Sequence, residues 1–187
     1  MSEDDDLVHG AKQGQPEAWR ELYRAHAGRL VIWLNTRPAR DVVYDAEDIA
    51  AEAWLITAEK INTFTGTSDE FAGWLFGIAR KLASNSQRKS RRRATDPTES
   101  LAESSRLDQS TGPEPQLVAR DWVDRLLATL PPREREVVAC LDVVQLDVAA
   151  TARALDMSQV AVRVAHHRAM KRLRRHAVES AVSPVLS

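Results

Sequence analysis

The stretch LPPREREVVACLDVVQLDVAATARALDMSQVAVRVAHHRAMKRLRR, residues 130–175, decides how this chain folds. Pro131 and Pro132 forbid helix before them and suit its first turn, so a helix is expected to start there and carry Val137, Val138 and Leu141 inward. Asp147 has the character of an N-cap for a short helix over 148–155. Asp156-Met157-Ser158 breaks that helix, and a longer one follows from Ser158. Short helix, tight turn and longer basic helix form the helix-turn-helix pattern, whose second helix enters the major groove of DNA. Between Met157 and Val178 there is no acidic residue, while Arg163, Arg168, Lys171, Arg172, Arg174 and Arg175 are all cationic. Neutralising phosphates needs such a one-signed surface. A merely solvated helix of a bundle usually mixes its signs, so DNA binding is the better reading.

Outward from this stretch, 187 residues make one or two small domains. The 43% hydrophobic content is enough for packed cores, and only seven glycines favour helices. No apolar run reaches membrane-spanning length and MSEDDD is acidic, unlike a secretory signal, so a cytoplasmic protein without membrane insertion is expected. A single cysteine, Cys140, excludes an intramolecular disulfide; on the apolar side of its helix it reads as buried and inert. Net charge is only −1, but its distribution is informative. Residues 80–93 carry Arg80, Lys81, Arg88, Lys89, Arg91, Arg92 and Arg93 with no acid, and residues 41–52 carry Asp41, Asp45, Glu47, Asp48 and Glu52 with no base. That segregation assigns basic surfaces to DNA and an acidic one to another partner.

Along the N-terminal half, residues 1–6 are expected to fray. Pro16 begins a helix whose apolar residues Trp19, Leu22, Tyr23, Leu30, Val31, Ile32 and Trp33 form a core-facing stripe. Pro38 interrupts it, and Asp45 with Asp48 caps a helix running to about Ile61, with Ile49, Ala50, Ala53 and Ile56 inward. The polar loop Asn62–Asp69 ends in Thr67-x-x-Glu70, a capping-box spacing. The next helix, 70–93, carries Phe71, Trp74, Leu75, Ile78 and Leu82, then turns wholly polar and basic. Trp19, Trp33, Trp54 and Trp74 indicate one helical core here, and each reads as core rather than a platform for bases. Residues 94–115 shift to Ser, Thr, Pro, Gly and acids without periodicity and read as a flexible acidic linker. A second domain starts near Gln116 with a helix carrying Leu117, Trp122, Leu126 and Leu127.

DAEDIAAEAWLITAEKINTF, then FAGWLFGIARKLASNSQRKSRRR, then LPPREREVV with a helix-turn-helix, resemble in this order a bacterial RNA polymerase sigma factor of the extracytoplasmic-function (ECF, group 4) class. LPPREREVV alone also resembles regulators of the LuxR type; both halves in this order are specific. The resemblance covers about Leu7 to Arg175 apart from the linker. It implies an all-α fold of two small helical domains on a flexible linker: residues 1–93 as region 2, 94–115 as linker and 116–187 as region 4. It implies core polymerase as partner, through the β′ clamp helices and the β flap, with Asp45, Glu47, Asp48 and Glu52 on the clamp-binding helix. The loop matches the segment that captures a flipped base of the −10 element, giving Asn62, Thr63 and Thr65; the following helix gives Arg80, Lys81, Asn85, Arg88 and Lys89 to the melted strand and duplex edge. The last helix would read the −35 element with Ser158, Arg163, His167, Arg168, Lys171 and Arg172. The linker would thread toward the polymerase active site. Many relatives are also held by an anti-sigma factor. The chain departs from the family pattern at Lys81 (commonly Asn), Asn85 (an acid), Asp156 (the turn glycine), Thr151 (an aliphatic residue) and His166 (Leu). Its recognition face carries Ala161, Val164 and Ala165 where relatives often have hydroxyls and charges, so promoter preference cannot be copied from them.

The competing reading is a stand-alone helix-turn-helix regulator with residues 1–93 as a sensor or dimerisation module. A sensor has no need of the second basic surface at 80–93, which argues against it. No phosphate-binding glycine loop, metal-ligand spacing or nucleophile–base pair is present, and His166 and His167 diverge on a helix. The chain is therefore expected to be no enzyme and to need no cofactor or metal.

Overall fold

The structure is a computed structural model that describes residues 3–37, 45–95 and 122–182, with side chains left out at 3–6, 90, 91, 93–95 and 179–182. Asp41, Leu117 and all but the first two positions of the expected linker lie outside the described residues. Every regular element among the described residues is helical: α1 Glu3–Lys12, α2 Pro16–Asn35, α3 Ala46–Lys60, a 3-10 turn Ile61–Thr63, α4 Ser68–Thr95, α5 over 122–128, α6 Pro132–Val138 continued by a π turn Ala139–Val143, α7 Val148–Leu155 and α8 Gln159–Val182.

Local signals explain the limits of these helices. Pro16 and Pro132 open α2 and α6, where a missing N–H costs nothing. Asp45 accepts from the Glu47 N–H at 2.8 Å to cap α3, and Asp147 accepts from the Ala150 N–H at 2.7 Å to cap α7. Ser158 Oγ accepts from the Ala161 N–H at 3.1 Å and starts α8. Between α7 and α8, Asp156 takes φ 54°, the left-handed conformation a glycine usually supplies at this turn. The Glu70 side chain reaches back to the Thr67 N–H at 3.0 Å, one half of a capping box at the head of α4.

The core differs in places from the apolar stripes of the sequence. On α2, Leu22, Leu30, Trp33 and Leu34 are buried, but Tyr23 and Ile32 point outward at 57% and 46% exposure. On α3, Thr57 takes an inner position and donates its hydroxyl to the Ala53 carbonyl at 2.7 Å. On α4, Phe76 is buried against Trp33, with ring centroids 5.3 Å apart. Trp122 is exposed. Cys140 is fully buried, and burial, ahead of the neighbouring Glu136 carboxylate, pushes its thiol up to about 12, so it is unreactive at neutral pH.

The two halves do not stand apart. One hydrophobic cluster runs from Val8 through Phe71, Leu75 and Phe76 of α4 to Ala150, Leu155 and Val162 of the helix-turn-helix. Helix α7 lies along α4. At Gly73 a Cβ atom would come within 2.7 Å of the Ala150 carbonyl oxygen and 2.9 Å of its Cα, so only glycine allows this approach. A second small cluster, Leu127, Leu130, Val138 and Ala169, seats α5 and α6 on α8.

Candidate nucleic-acid interface

Three surfaces carry the residues singled out from the sequence. The first is the outer face of α2 and α3. Asp45, Glu47, Asp48 and Glu52 are all exposed; Asp45 is partly used as the helix cap, and Glu47, Asp48 and Glu52 make no ion pair among the described residues. Asp48, Glu52 and Leu55 follow one another along one side of α3, and Leu55 is 66% exposed. Beside them runs an apolar groove of about 1140 Å³ between α2 and α3, lined by Trp19, Tyr23, Ile32, Trp54 and Leu55 with Glu47 at its edge. Its walls are held by the Tyr23–Trp54 ring contact at 5.1 Å. Contiguous exposed apolar surface beside charge marks an interaction site. The acids were legible in the sequence. The groove is not, because helical periodicity alone places Tyr23 and Ile32 on the core-facing stripe.

The second surface is the loop before α4 together with the end of that helix. Asn62, Thr63 and Thr65 are exposed, while Phe64 is buried and stacked on Trp74 at 4.6 Å, which anchors the loop. Gly66 is needed here, since a Cβ would lie 2.5 Å from the Phe64 ring. The Thr63 hydroxyl donates to the Lys60 carbonyl at 2.7 Å, while Asn62, Thr65 and Thr67 are further exposed polar side chains of the loop. Lys81, Asn85, Arg88 and Lys89 are exposed on the second half of α4, and Asn85, Arg88, Lys89 and Arg92 surround a shallow cavity of about 350 Å³. Arg80 is not with them. It is half-buried on another flank, 3.8 Å from Glu136 of α6. Arg88 stands twenty positions beyond Ser68, about 30 Å along the helix at 1.5 Å per residue. Loop and basic stripe therefore lie well apart along the helix.

The third surface is α8. Arg163, His167, Arg168 and Lys171 are exposed, with Val160 and Val164 between them. Val162 and Ala169 are buried beneath, so the helix shows one face to the core and this one to solvent. Two of the expected contacts are otherwise employed: Ser158 caps the helix, and Arg172 Nε is paired with Glu134 at 3.0 Å. His166, on the inner flank, meets Asp142 of the π turn at 2.8 Å and ties α8 to α6. Thr151 is fully buried with no partner for its hydroxyl.

This combination, a helix-turn-helix with a one-signed recognition helix behind a helical half with its own basic stripe, agrees with the comparisons. The model of sigma-70 region 2 matches residues 22–93, and that of sigma-70 region 4 matches residues 120–173. The chain is 34% identical over 179 residues to the ECF RNA polymerase sigma factor ShbA of Streptomyces griseus, covering 90% of this chain and 92% of that one. The chain belongs to the ECF RNA polymerase sigma factors. It is also 35% identical over 175 residues to SigD, a factor of this class from Mycobacterium tuberculosis, covering 91% of this chain and 82% of that one. Among solved structures, CnrH in complex with the cytosolic domain of CnrY superposes with a TM-score of 0.64 at 20% identity, over 96% of this chain and 99% of that one. RpoE in complex with the anti-sigma factor NepR from Bartonella quintana does so at 0.56 and 20%, over 88% and 96%. These two likenesses bear on the fold alone. As a sigma factor the chain directs promoter recognition in transcription initiation. No helix among its described residues is long and apolar enough to cross a membrane.

Proposed function

We propose that this sigma factor divides its work among the three surfaces. The α2–α3 face docks on the β′ clamp helices of core polymerase. The loop 62–67 and the basic stripe of α4 take the −10 element, and α8 takes the −35 element. Residues 1–93 and 116–187 act as the two binding units of the assembled complex, with 94–115 between them and the second unit also meeting the β flap. What carries this reading is that one chain presents two exposed cationic surfaces and, on a third face, exposed acids without an ion pair among the described residues, beside an apolar groove. Charge complementarity would orient the polymerase contact, and covering side chains such as Leu55 and Tyr23 would supply its strength, about 1.5–3 kcal/mol for a fully buried large apolar side chain. The solved complex of RpoE with the anti-sigma factor NepR supports a further partner of that kind.

Reversing Asp48 and Glu52 to Lys is expected to weaken binding to core polymerase in competition, and Leu55→Ser to do the same without changing net charge. Run-off transcription with core polymerase on a promoter library then reads the sequences used. If both sets of variants compete for core as well as the parent does, the docking face lies elsewhere.

A further inference from the structure

Helix α8 carries an apolar ridge on its outer face. At about 100° per residue, positions 160, 164, 167 and 171 fall within about 60° of one another and about 180° from the buried Val162 and Ala169. The side chains that stand furthest from the core are therefore Val160, Val164, His167 and Lys171. Val160 is 67% exposed and Val164 43%. Cations flank the two valines: Arg163 on one side, its Nη2 3.4 Å from Gln159 Oε1, and Arg168 on the other. The direction of the ridge is fixed, because Ser158 caps the helix, His166 ties it to Asp142 and Arg172 ties it to Glu134. Tyr23, Ile32 and Leu55, also exposed, share the α2–α3 groove, whereas Val160 and Val164 are the apolar part of a face that is otherwise polar and cationic.

Such a ridge is matched neither to water nor to phosphate. Single exposed valines are ordinary on a protein surface, but these two stand one turn apart where a recognition helix meets base edges. A β-branched residue also costs a helix stability against alanine, so the pair does not serve the helix itself. In the major groove the base edges present hydrogen-bond donors and acceptors with one apolar exception, the C5-methyl group of thymine. A valine side chain has no hydrogen-bonding atom and distinguishes bases there only through that methyl group. Charge selects the partner that brings it: with no acid between Met157 and Val178, the face suits a polyanion. The two valines lie about 6 Å apart along the helix axis, fewer than two base-pair steps of about 3.4 Å, so they meet neighbouring base pairs.

We infer that Val160 and Val164 read pyrimidine C5-methyl groups in the −35 element. At the base pairs they cover, the chain accepts thymine and 5-methylcytosine alike and discriminates against uracil and unmethylated cytosine. The inference rests on the placement of α8 at the −35 element and adds which bases that helix prefers. Covering one methyl group is worth about fourfold in a binding constant. A methylated cytosine under this ridge therefore strengthens promoter binding.

The test uses the sigma factor assembled with core polymerase. Run-off transcription on a promoter library supplies a working promoter, and each thymine of its −35 element is replaced in turn by deoxyuridine, which removes the methyl group and leaves the pairing edge unchanged. One or two positions should lose about fourfold in the Kd of the assembled complex for the promoter. At the same positions a 5-methylcytosine–guanine pair should bind about fourfold more tightly than a cytosine–guanine pair. In Val160→Ala or Val164→Ala both ratios should fall toward one at one of these positions and persist at the other. Both valines are exposed, so these substitutions are expected to leave the fold intact. A −35 element in which no uridine substitution changes binding, or methyl ratios that are unchanged in both alanine variants, would overturn the inference. Lys171→Ala reads the placement of α8 separately. If it weakens promoter binding while every methyl ratio stays near one, α8 meets DNA and the methyl reading alone is wrong; if it has no effect either, the placement of α8 falls as well.

Discussion

Lowering the pH from 7 to 5 should destabilise this protein through His26. The imidazole packs on Phe71 with ring centroids 5.7 Å apart, and its Nδ1 is buried with no partner. It borders a cavity of about 310 Å³ where α1, α2 and α4 meet the turn before α7. Burial first, and the Arg29 guanidinium second, bring its pKa from 6.5 down to about 4. The native state therefore binds fewer protons than the unfolded chain between those two values. The stabilisation is whole above pH 6.5, falls as the pH drops, and is lost below pH 4. The full span is worth about 3 kcal/mol, and the part between pH 7 and pH 5 about 2 kcal/mol. Urea unfolding at both pH values reads it: with a slope of about 1–3 kcal/mol per molar, the midpoint should fall by roughly 1 M from this source. Carboxylates and the other histidines also titrate, so the measurement is the difference between the parent and His26→Gln, which keeps a polar group but cannot be protonated in this range. The variant should lose about 2 kcal/mol less than the parent. Equal losses in the two proteins, or a His26 titration midpoint near 6.5 by NMR, would refute the reasoning.

Three further outcomes are expected. Thr151→Val replaces a buried hydroxyl that has no partner by a methyl group of similar size and should raise stability by about 1 kcal/mol and Tm by about 2–4 °C in thermal unfolding. Arg163→Ala should cost about 1–3 kcal/mol and relax preference at one base pair of the −35 element, whereas Lys171→Ala should weaken all sequences alike and lower the salt slope by about 1; Arg172→Ala, whose side chain is already paired with Glu134, should change the salt slope less than Lys171→Ala. Asn62→Ala with Thr65→Ala should depress transcription from a duplex promoter, and a template already mismatched at −10 should recover much of it, because the few kcal/mol of unpairing no longer has to be supplied; equal loss on both templates would move the defect to folding or polymerase binding.

Short-range chemistry made much of this molecule readable from its sequence. Asp147, Asp156 and Ser158 set the limits of the helix-turn-helix because caps and left-handed turns are settled within one helical turn. The one-signed run on α8 and the exposed acids of α3 were legible for the same reason: long charged side chains stay in water wherever the helix sits. Periodicity marks which face of a helix is apolar, but not whether anything covers it. Tyr23 and Ile32 belong to the same stripe as Leu22 and Trp33, yet they border an open groove, because α3 covers only part of α2. Arg80 and Arg172 sit in cationic runs, yet each faces an acid of α6, and Arg80 does so across more than fifty residues of chain. Gly73 and Gly77, four apart on α4, were not read from the sequence as a place of close helix approach; the structure shows them as one. The partner that fills their notch, α7, is chosen by the packing of the whole chain. Local residues thus determined the helices, their caps and the sign of each surface. Only tertiary structure decided which apolar faces stay open, which cations are already paired, and that the two halves close on each other, because those outcomes depend on groups distant in sequence meeting at a few ångströms.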